Sequence, residues 1–341
     1  MAWFNEKGDM QDVVLSTRVR FARNLEGYPF TSRLSDSGAS EIIEKVSLAL
    51  PDYKREEFTS ASDKNVCASY MEMHYVSPEF AKTDRRRALF SGGEGSAVRI
   101  MVCEEDHIRI QSIVAGFDPE LAYTLAAKAD DALSEKLNIA YNEKYGYLTH
   151  CPTNLGAAMR VSAMLCLPAL TITRSIDEYT QIMNKMGLTI RGIYGEGTQS
   201  AGCLYQISNR ASLGSGEEEI IKLMSDVIRN LVKAERQTRE VLYDGSKLPL
   251  TDKIARTVGL LKNAYMLSSS EFNSVFSDLE LGVSLGIISG IKSEKLAEML
   301  IAVQPATVSM SREGLDDDDA RDVRRAEIIR DMTAKIKVKY Q

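Results

Sequence analysis

The chain has 341 residues, 42 Lys and Arg against 48 Asp and Glu, and a formal net charge of -6, with 44% hydrophobic and 26% charged residues. That balance belongs to a folded protein with room for two domains; it excludes wholesale disorder and argues against a general nucleic-acid binder. No apolar run approaches the roughly 18 residues of a membrane helix, and the start Met1-Ala2-Trp3-Phe4 lacks the pattern of a secretory signal, so no membrane partner is expected.

Taken in chain order, the first clear element is a strand at 15–21. Period two puts Ser16, Arg18 and Arg20 on one face and Leu15, Val19 and Phe21 on the other. Short alternating runs at 98–103, 107–114, 188–194 and 203–208 read as further half-buried strands. They lie close together with turns between them, which favours an antiparallel sheet over regular βαβ winding. Apolar residues at helical spacing (Leu121, Leu125, Ala129, Ala132, Leu133) predict a helix over 119–137. Cys151-Pro152-Thr153-Asn154-Leu155-Gly156 is a turn, with Arg160 following at an expected helix start. The fold class is therefore α+β: an antiparallel β-sheet flanked by helices.

The period changes near Gly214. Ser215 and Glu218 form an expected capping box, and Ile220, Ile221, Met224, Val227, Ile228, Leu231 and Val232 make an apolar stripe behind it. After a break at Gly245-Ser246, helices are expected at 251–267, 270–281, 293–303 and 319–337. A boundary near Gly245 would divide the chain into a domain at 1–245 and a helical C-terminal domain at 246–341.

Five scattered cysteines (Cys67, Cys103, Cys151, Cys166, Cys203) form no CxxC pair, so neither a zinc site nor a disulfide framework is indicated, and a cytoplasmic chain with reduced thiols is expected. There is no GxxxxGK[ST] loop and no kinase-type Gly-rich loop with HRD and DFG partners, so any phosphate must be held by side chains. The strands offer them. Arg18 and Arg20 side by side are unfavourable unless an anion or a solvent film relieves them; a solvated edge strand is the plainer alternative. His107, Arg109 and Gln111 repeat the arrangement after Glu104-Glu105-Asp106, which is either a polar turn or a carboxylate set against a bound cation. The Cys151 turn would favour an anion or a thiolate, or it is an ordinary capped turn. Arg191 ends a strand, with Glu196 in the glycine-rich loop that follows.

Together, Ser16-Thr17-Arg18-Val19-Arg20, Glu104-Glu105-Asp106-His107, Cys151 to Gly156 and Arg191-Gly192-Ile193-Tyr194-Gly195-Glu196 resemble the phosphagen (guanidino) kinases. The loop at 191–196 and Arg321-Asp322-Val323-Arg324-Arg325-Ala326 are similar to the branch that phosphorylates arginine in proteins. The resembling segment Ser16-Thr17-Arg18-Val19-Arg20 stands at residue 16, so the helical domain that precedes it in small-molecule members is expected to be absent.

The resemblance implies that Arg18, Arg20, Arg109, Arg160 and Arg191 hold the phosphates of ATP. It implies that Ser16, Thr17, Arg18, Val19 and Arg20, His74, the segment Arg160, Val161, Ser162, Ala163, Met164 and the segment Arg191, Gly192, Ile193, Tyr194, Gly195, Glu196 line the nucleotide site, with Mg²⁺ held largely by phosphate and water. It assigns Glu105 and Glu196 to orienting the acceptor guanidinium and taking its proton, and gives Cys151 a supporting place beside it. The segment 321–326 matches a phosphoarginine-recognition motif, although a solvated helix face is the plainer reading of it. Departures are Cys103, where the family commonly has Asn, and Ala157-Ala158 in place of Thr-Gly. The implied partners are proteins with exposed arginines, a zinc-binding activator, an ATP-dependent protease and a second copy of the chain. A small-molecule arginine kinase and a non-catalytic phosphoarginine-binding adaptor are the alternatives.

Overall fold

The computed structural model describes residues 2–93, 95–193, 201–315 and 317–340, with the side chain of Ala201 outside that description. Its strands are β1 (Val14–Arg23), β2 (Lys54–Phe58), β3 (Arg87–Ser91), β4 (Val98–Val102), β5 (Ile108–Ala115), β6 (Tyr141–Asn142), β7 (Gly146–Tyr147), β8 (Met159–Cys166), β9 (Leu188–Gly192), β10 (Leu204–Asn209), β11 (Ile288–Ser289) and β12 (Lys337–Val338). Its helices are α1 (Asp36–Ala49), α2 (Lys64–Glu72), α3 (Pro78–Lys82), α4 (Pro119–Ser134), α5 (Pro168–Ile172), α6 (Ile176–Lys185), α7 (Glu217–Asn263), α8 (Ser269–Ser284), α9 (Ser293–Ala302), α10 (Pro305–Met310) and α11 (Asp318–Thr333).

Eight strands form one sheet in the order β2-β3-β4-β5-β1-β8-β10-β9. Every neighbouring pair is antiparallel, as the closely spaced strand signals predict. One face buries Val19, Phe21, Ile110, Val161 and Ile207 against apolar residues of α1, α4 and the first half of α7. The other face divides in three. Along β2–β4, Phe58, Leu89 and Met101 pack with Cys67 of α2 and Phe80 of α3. At one end Ile113, Met164 and Leu204 pack with Trp3 and residues of α8, α9 and α11. The remainder carries the polar side chains of the candidate site. Apolar helices thus cover the whole sheet except for one patch.

Four local expectations need correction. Leu15 packs with Ile113 and Met164, not with Val19 and Phe21, because the β1–β8 register shifts between Val14 and Ser16 and the extra residue reverses the alternation there. Arg160 lies within strand β8, not at a helix start: the turn at 151–156 closes only one 3-10 turn, Pro152–Asn154, before period-two alternation takes over. The α7 cap lies one residue later than expected, with Glu219 Oε2 accepting from Gly216 N–H at 3.2 Å. The last helix stops at Thr333, and Lys337–Val338 instead pairs with β11.

Helix α7 is broken at Ser246, where φ -143° and ψ 34° leave the helical region, and Pro249 follows in the resumed helix. A proline in the first turn of a new helical segment removes an N–H that would have had no partner anyway.

Candidate active site

Strand register gathers the arginines. Across β1, Arg18 stands opposite Ser162 and Arg20 opposite Arg160 on β8, while Gln111 faces Arg20 and Arg109 lies two residues further along β5, opposite Ala22. Arg191 on β9 is opposite Gln206 on β10, which is itself opposite Met164. Directly opposed residues of an antiparallel pair share a face. Four strands therefore aim five arginines at one side of the sheet.

There they line a cavity of about 620 Å³, walled by Arg18, Arg20, Arg109, Arg160, Arg191, Glu105 and His74, with Gln206 and Ser208 beside them. Ser16, Ser162 and Met164 border a smaller cleft that shares Arg18, His74 and Ile193 with it. Charge in the cavity is not balanced. Among the described residues Arg18 makes only a 3.4 Å contact from Nε to Ser162 Oγ, and the buried Arg20 Nε has no partner. Burial, with Arg109 and Arg160 nearby, pushes Arg18 down to about 10. Burial also drives Arg20 well below the usual arginine range, aided by Arg18, Arg109 and Arg160. Arg160 is lowered by burial, Arg191 and Arg109. Burial and Arg18 hold His74 down to about 4, and its Nε2 has no partner among the described residues.

Arg109 is different. Burial works against its charge, but Glu104, Glu105 and Asp106 outweigh this and raise it. Its Nη1 donates to Glu104 Oε1 at 2.8 Å and Oε2 at 2.6 Å, and its Nη2 to Glu105 Oε2 at 2.9 Å. Glu104 is 1% exposed and also accepts from Ser77 Oγ, so it is a fixed anchor; Glu105 is 29% exposed and faces the cavity. The third acid, Asp106, is buried, and its Oδ1 accepts from Asn24 Nδ2 and from His150 N–H, both at 2.7 Å. It thereby fixes the residue before Cys151. The turn that separates these three roles passes through Cys103 at φ +62°, a conformation Asn tolerates better than Cys.

Cys151 is half-buried, with Sγ 3.0 Å from Thr153 Oγ1. Its own side chain does not line the large cavity, but Thr153 and Asn154 share a narrow cleft with Arg20, Arg109 and Arg160. Gly156, at φ +95°, seats this turn: a Cβ there would lie 2.5 Å from the carbonyl oxygen of Ser212.

The comparisons with known proteins match this geometry. The model of the ATP:guanido phosphotransferase C-terminal catalytic domain matches residues 41–238. The chain belongs to this family. A second model, the C-terminal domain of the protein-arginine kinase McsB, matches residues 247–341. Proteins named protein-arginine kinase from Bacillus velezensis and Bacillus subtilis are 39% and 38% identical, covering 96% and 97% of this chain and 92% of each relative. Among solved structures, the duplicated taurocyamine kinase from Schistosoma mansoni with bound transition-state-analogue components superposes with a TM-score of 0.60 at 23% identity, over 79% of this chain and 44% of that one. A lombricine kinase does so at 0.58 and 21%, over 72% and 70%. These structures share the fold.

Not every residue expected to line a nucleotide site of this family reaches the cavity with its side chain. Val19, Val161 and Ala163 are buried in the core on the opposite face, and Thr17 Oγ1 donates to the Gly116 carbonyl oxygen. Gly192 ends β9, while Tyr194, Gly195 and Glu196 lie outside the described residues. In α11, Arg325 is buried and donates from Nε to Val303 O at 2.6 Å and from Nη1 to Leu267 O at 2.8 Å and to Asp322 Oδ1. Ala326 is buried beside it, and Val323 is partly buried. Arg324 reaches Ser311 Oγ and Glu327 Oε2, and Arg321 reaches Asp318 Oδ1.

Sequence reasoning missed Glu72, Glu104, Gln206, Ser208 and Gln304. The acidic triplet and the alternation of β10 carried a signal for Glu104, Gln206 and Ser208. No local pattern marked Glu72 or Gln304.

Proposed function

We propose that this family member is an ATP-dependent protein-arginine kinase that transfers the γ-phosphoryl group to guanidinium groups of protein arginines. One observation carries the reading: a cluster of five arginines, with Arg20 Nε unpartnered among the described residues, beside the cavity-facing carboxylate Glu105. ATP brings about four negative charges, and guanidinium forks match phosphate oxygens bidentately. Arg18, Arg20, Arg109, Arg160 and Arg191 would hold the triphosphate and stabilise charge on the transferring group. Among the described residues no group of three or more His, Cys, Asp or Glu side chains converges to hold a metal. Mg²⁺ is proposed to enter as part of the nucleotide substrate, on its phosphates.

The acceptor guanidinium is a poor nucleophile until it loses a proton. Glu105, steadied through Oε2 by Arg109, would orient the planar fork and take that proton as nitrogen bonds to γ-phosphorus and the bond to ADP breaks. Glu196 is proposed as the second carboxylate, and Cys151 as a neighbour of the acceptor that forms no covalent intermediate. The relatives' name, protein-arginine kinase, and the matched C-terminal domain favour a protein acceptor over free arginine. On the same footing the domains are proposed to meet at the Ser246 break, and Arg321 to Ala326 to recognise phosphoarginine.

Among the described residues no helix is long and apolar enough to cross a membrane. A cytoplasmic setting, a homodimer, a zinc-binding activator and an ATP-dependent protease that receives marked proteins complete the proposal, together with a role in stress-response regulation. With ATP, Mg²⁺ and a basic protein, acid-labile phosphoarginine should form, and Glu105→Gln should lower its rate by at least about 10²-fold. Undiminished transfer by that variant would remove Glu105 from the mechanism.

A further inference from the structure

A separate pocket of about 300 Å³ lies between the loop after β2, helices α2 and α3, and the start of β3. It shares no lining residue with the large cavity. Exposed Lys64 and Lys82 stand at its mouth, and the buried Arg87 and Cys67 line it further in. Asp84 is the single carboxylate among its described lining residues, so three cations face one anion.

Arg87 is the last of three consecutive arginines, and their surroundings differ. Arg85 Nη1 donates to Thr31 O at 2.6 Å, and Arg86 lies 3.5 Å from Glu57 Oε2. Arg87 is 3% exposed and has no carboxylate partner among the described residues, and its Nε finds no hydrogen-bond acceptor there either. Nη1 donates to Arg85 O at 2.9 Å, and Nη2 reaches only the Cys67 sulfur at 3.7 Å. The rings of Phe58 and Phe80 lie 5.7 and 5.1 Å from Cζ. Aromatic faces attract the charge, but they leave the in-plane N–H fork without an oxygen. The nearby hydroxyls are poised as donors. Thr59 Oγ1 accepts from Ala61 N–H at 3.3 Å, Ser62 Oγ from Thr59 N–H at 2.9 Å, and Thr83 Oγ1 from Arg85 N–H at 3.4 Å. Each oxygen is thereby fixed with its O–H left to donate to an anion.

We propose that this pocket binds a phosphoryl dianion. Arg87 supplies the buried fork, Lys64 and Lys82 the flanking charge, and the hydroxyls of Thr59, Ser62 and Thr83 the remaining donors. A tetrahedral dianion presents several acceptor oxygens in different directions, which suits a fork, two ammonium groups and hydroxyls better than a planar monoanion does. The mouth is exposed, so the group can arrive as free phosphate or on a phosphorylated side chain. The proposal is independent of the ATP reading of the arginine cavity, and the test keeps the two apart.

Equilibrium dialysis of radiolabelled inorganic phosphate would be run at constant ionic strength on the full chain as wild type, Lys64→Ala/Lys82→Ala, Arg87→Met and Arg20→Met. The wild type should show two classes of site, one among the five arginines and one here. Lys64→Ala/Lys82→Ala and Arg87→Met should each weaken one class at least about 10-fold and leave the other within about twofold, and Arg20→Met should do the reverse. Both lysines are exposed, so the double variant keeps the test open if Arg87→Met does not fold. A phosphate curve for the double variant that superimposes on the wild type would overturn the proposal, as would equal loss of both classes. A single class weakened by Arg20→Met alone would refute the pocket; a single class weakened by the lysine variant alone would support the pocket and refute the arginine cavity. Competition with a serine-phosphorylated peptide distinguishes the sources. Displacement by less peptide than unlabelled phosphate supports the pocket as a reader of phosphorylated side chains, and the reverse supports it as a site for free phosphate.

Discussion

The protein sequesters arginines in two different ways. Arg23, on the same strand as Arg18 and Arg20, is fully neutralised: Nε and Nη2 engage both oxygens of Asp130, and Nη1 donates to the carbonyls of Ala22 and Ala157. Its guanidinium lies 3.5 Å from the centre of the Tyr147 ring. Arg325 in α11 is satisfied in the same manner, and Arg239 pairs with Glu235 at 2.7 Å. Arg18 and Arg20, a few residues from Arg23, have no carboxylate partner among the described residues and repel each other and their neighbours across β5 and β8. The fold supplies anions to its structural arginines and to Arg109 but, among the described residues, withholds them from Arg18 and Arg20. The shortfall of negative charge is the strongest physical mark of a ligand site in this molecule.

The largest effects should come from substituting one arginine of each kind. Arg23→Met leaves Asp130 buried and unpaired and should cost about 3–5 kcal/mol in denaturant unfolding. Arg20→Met removes a cation from a cationic cluster, so it should leave stability unchanged or raise it while turnover falls about 10²–10³-fold. Comparable destabilisation by both would erase the distinction.

A somewhat smaller effect is expected from acid. His74 titrates near 4 in the folded chain against about 6.5 unfolded, so on lowering the pH the unfolded chain takes up the proton first. Its contribution is therefore complete above about pH 6.5 and lost as the pH falls towards 4, about 3 kcal/mol in all. Unfolding measured at several pH values should show this loss in the wild type and a shallower one in His74→Gln. Saturating ATP should deepen the wild-type loss if His74 stays neutral beside the phosphates. Superimposable pH curves for the two proteins would contradict the burial argument.

The smallest effect concerns the acidic turn. Cys103→Asn should relieve left-handed strain and stabilise the chain by less than about 1 kcal/mol, with turnover kept within a few-fold. Destabilisation would mean that the buried Cys103 thiol, pushed up to about 12 by desolvation, matters more to packing than to backbone conformation.

Much of this was legible in the sequence because strands have period two. Alternation alone placed Arg18 with Arg20 and Arg109 with Gln111, and the closeness of the strand signals implied antiparallel pairing. Where alternation failed, it failed for a local reason: the bulge at Val14–Ser16 sent Leu15 to the other face. Arg160 was misplaced because a proline-led turn imitates a helix start until the strand register claims the residue. Glu104 and Glu105 are identical as letters; only their burial separates the anchor of Arg109 from the carboxylate at the cavity. The hydrogen bond from Thr307 Oγ1 to Glu72 joins residues 235 positions apart, and no periodicity reports such a contact.

The central claim is that an unbalanced arginine floor beside Glu105 transfers phosphate to protein arginines. Its most direct test is wild-type ATP turnover with a basic protein and with free arginine, followed by mapping of modified residues at neutral pH. Phosphoarginine on the protein, with little ADP formed from free arginine, is the predicted result. Rapid consumption of ATP by free arginine with an unmodified protein would contradict it.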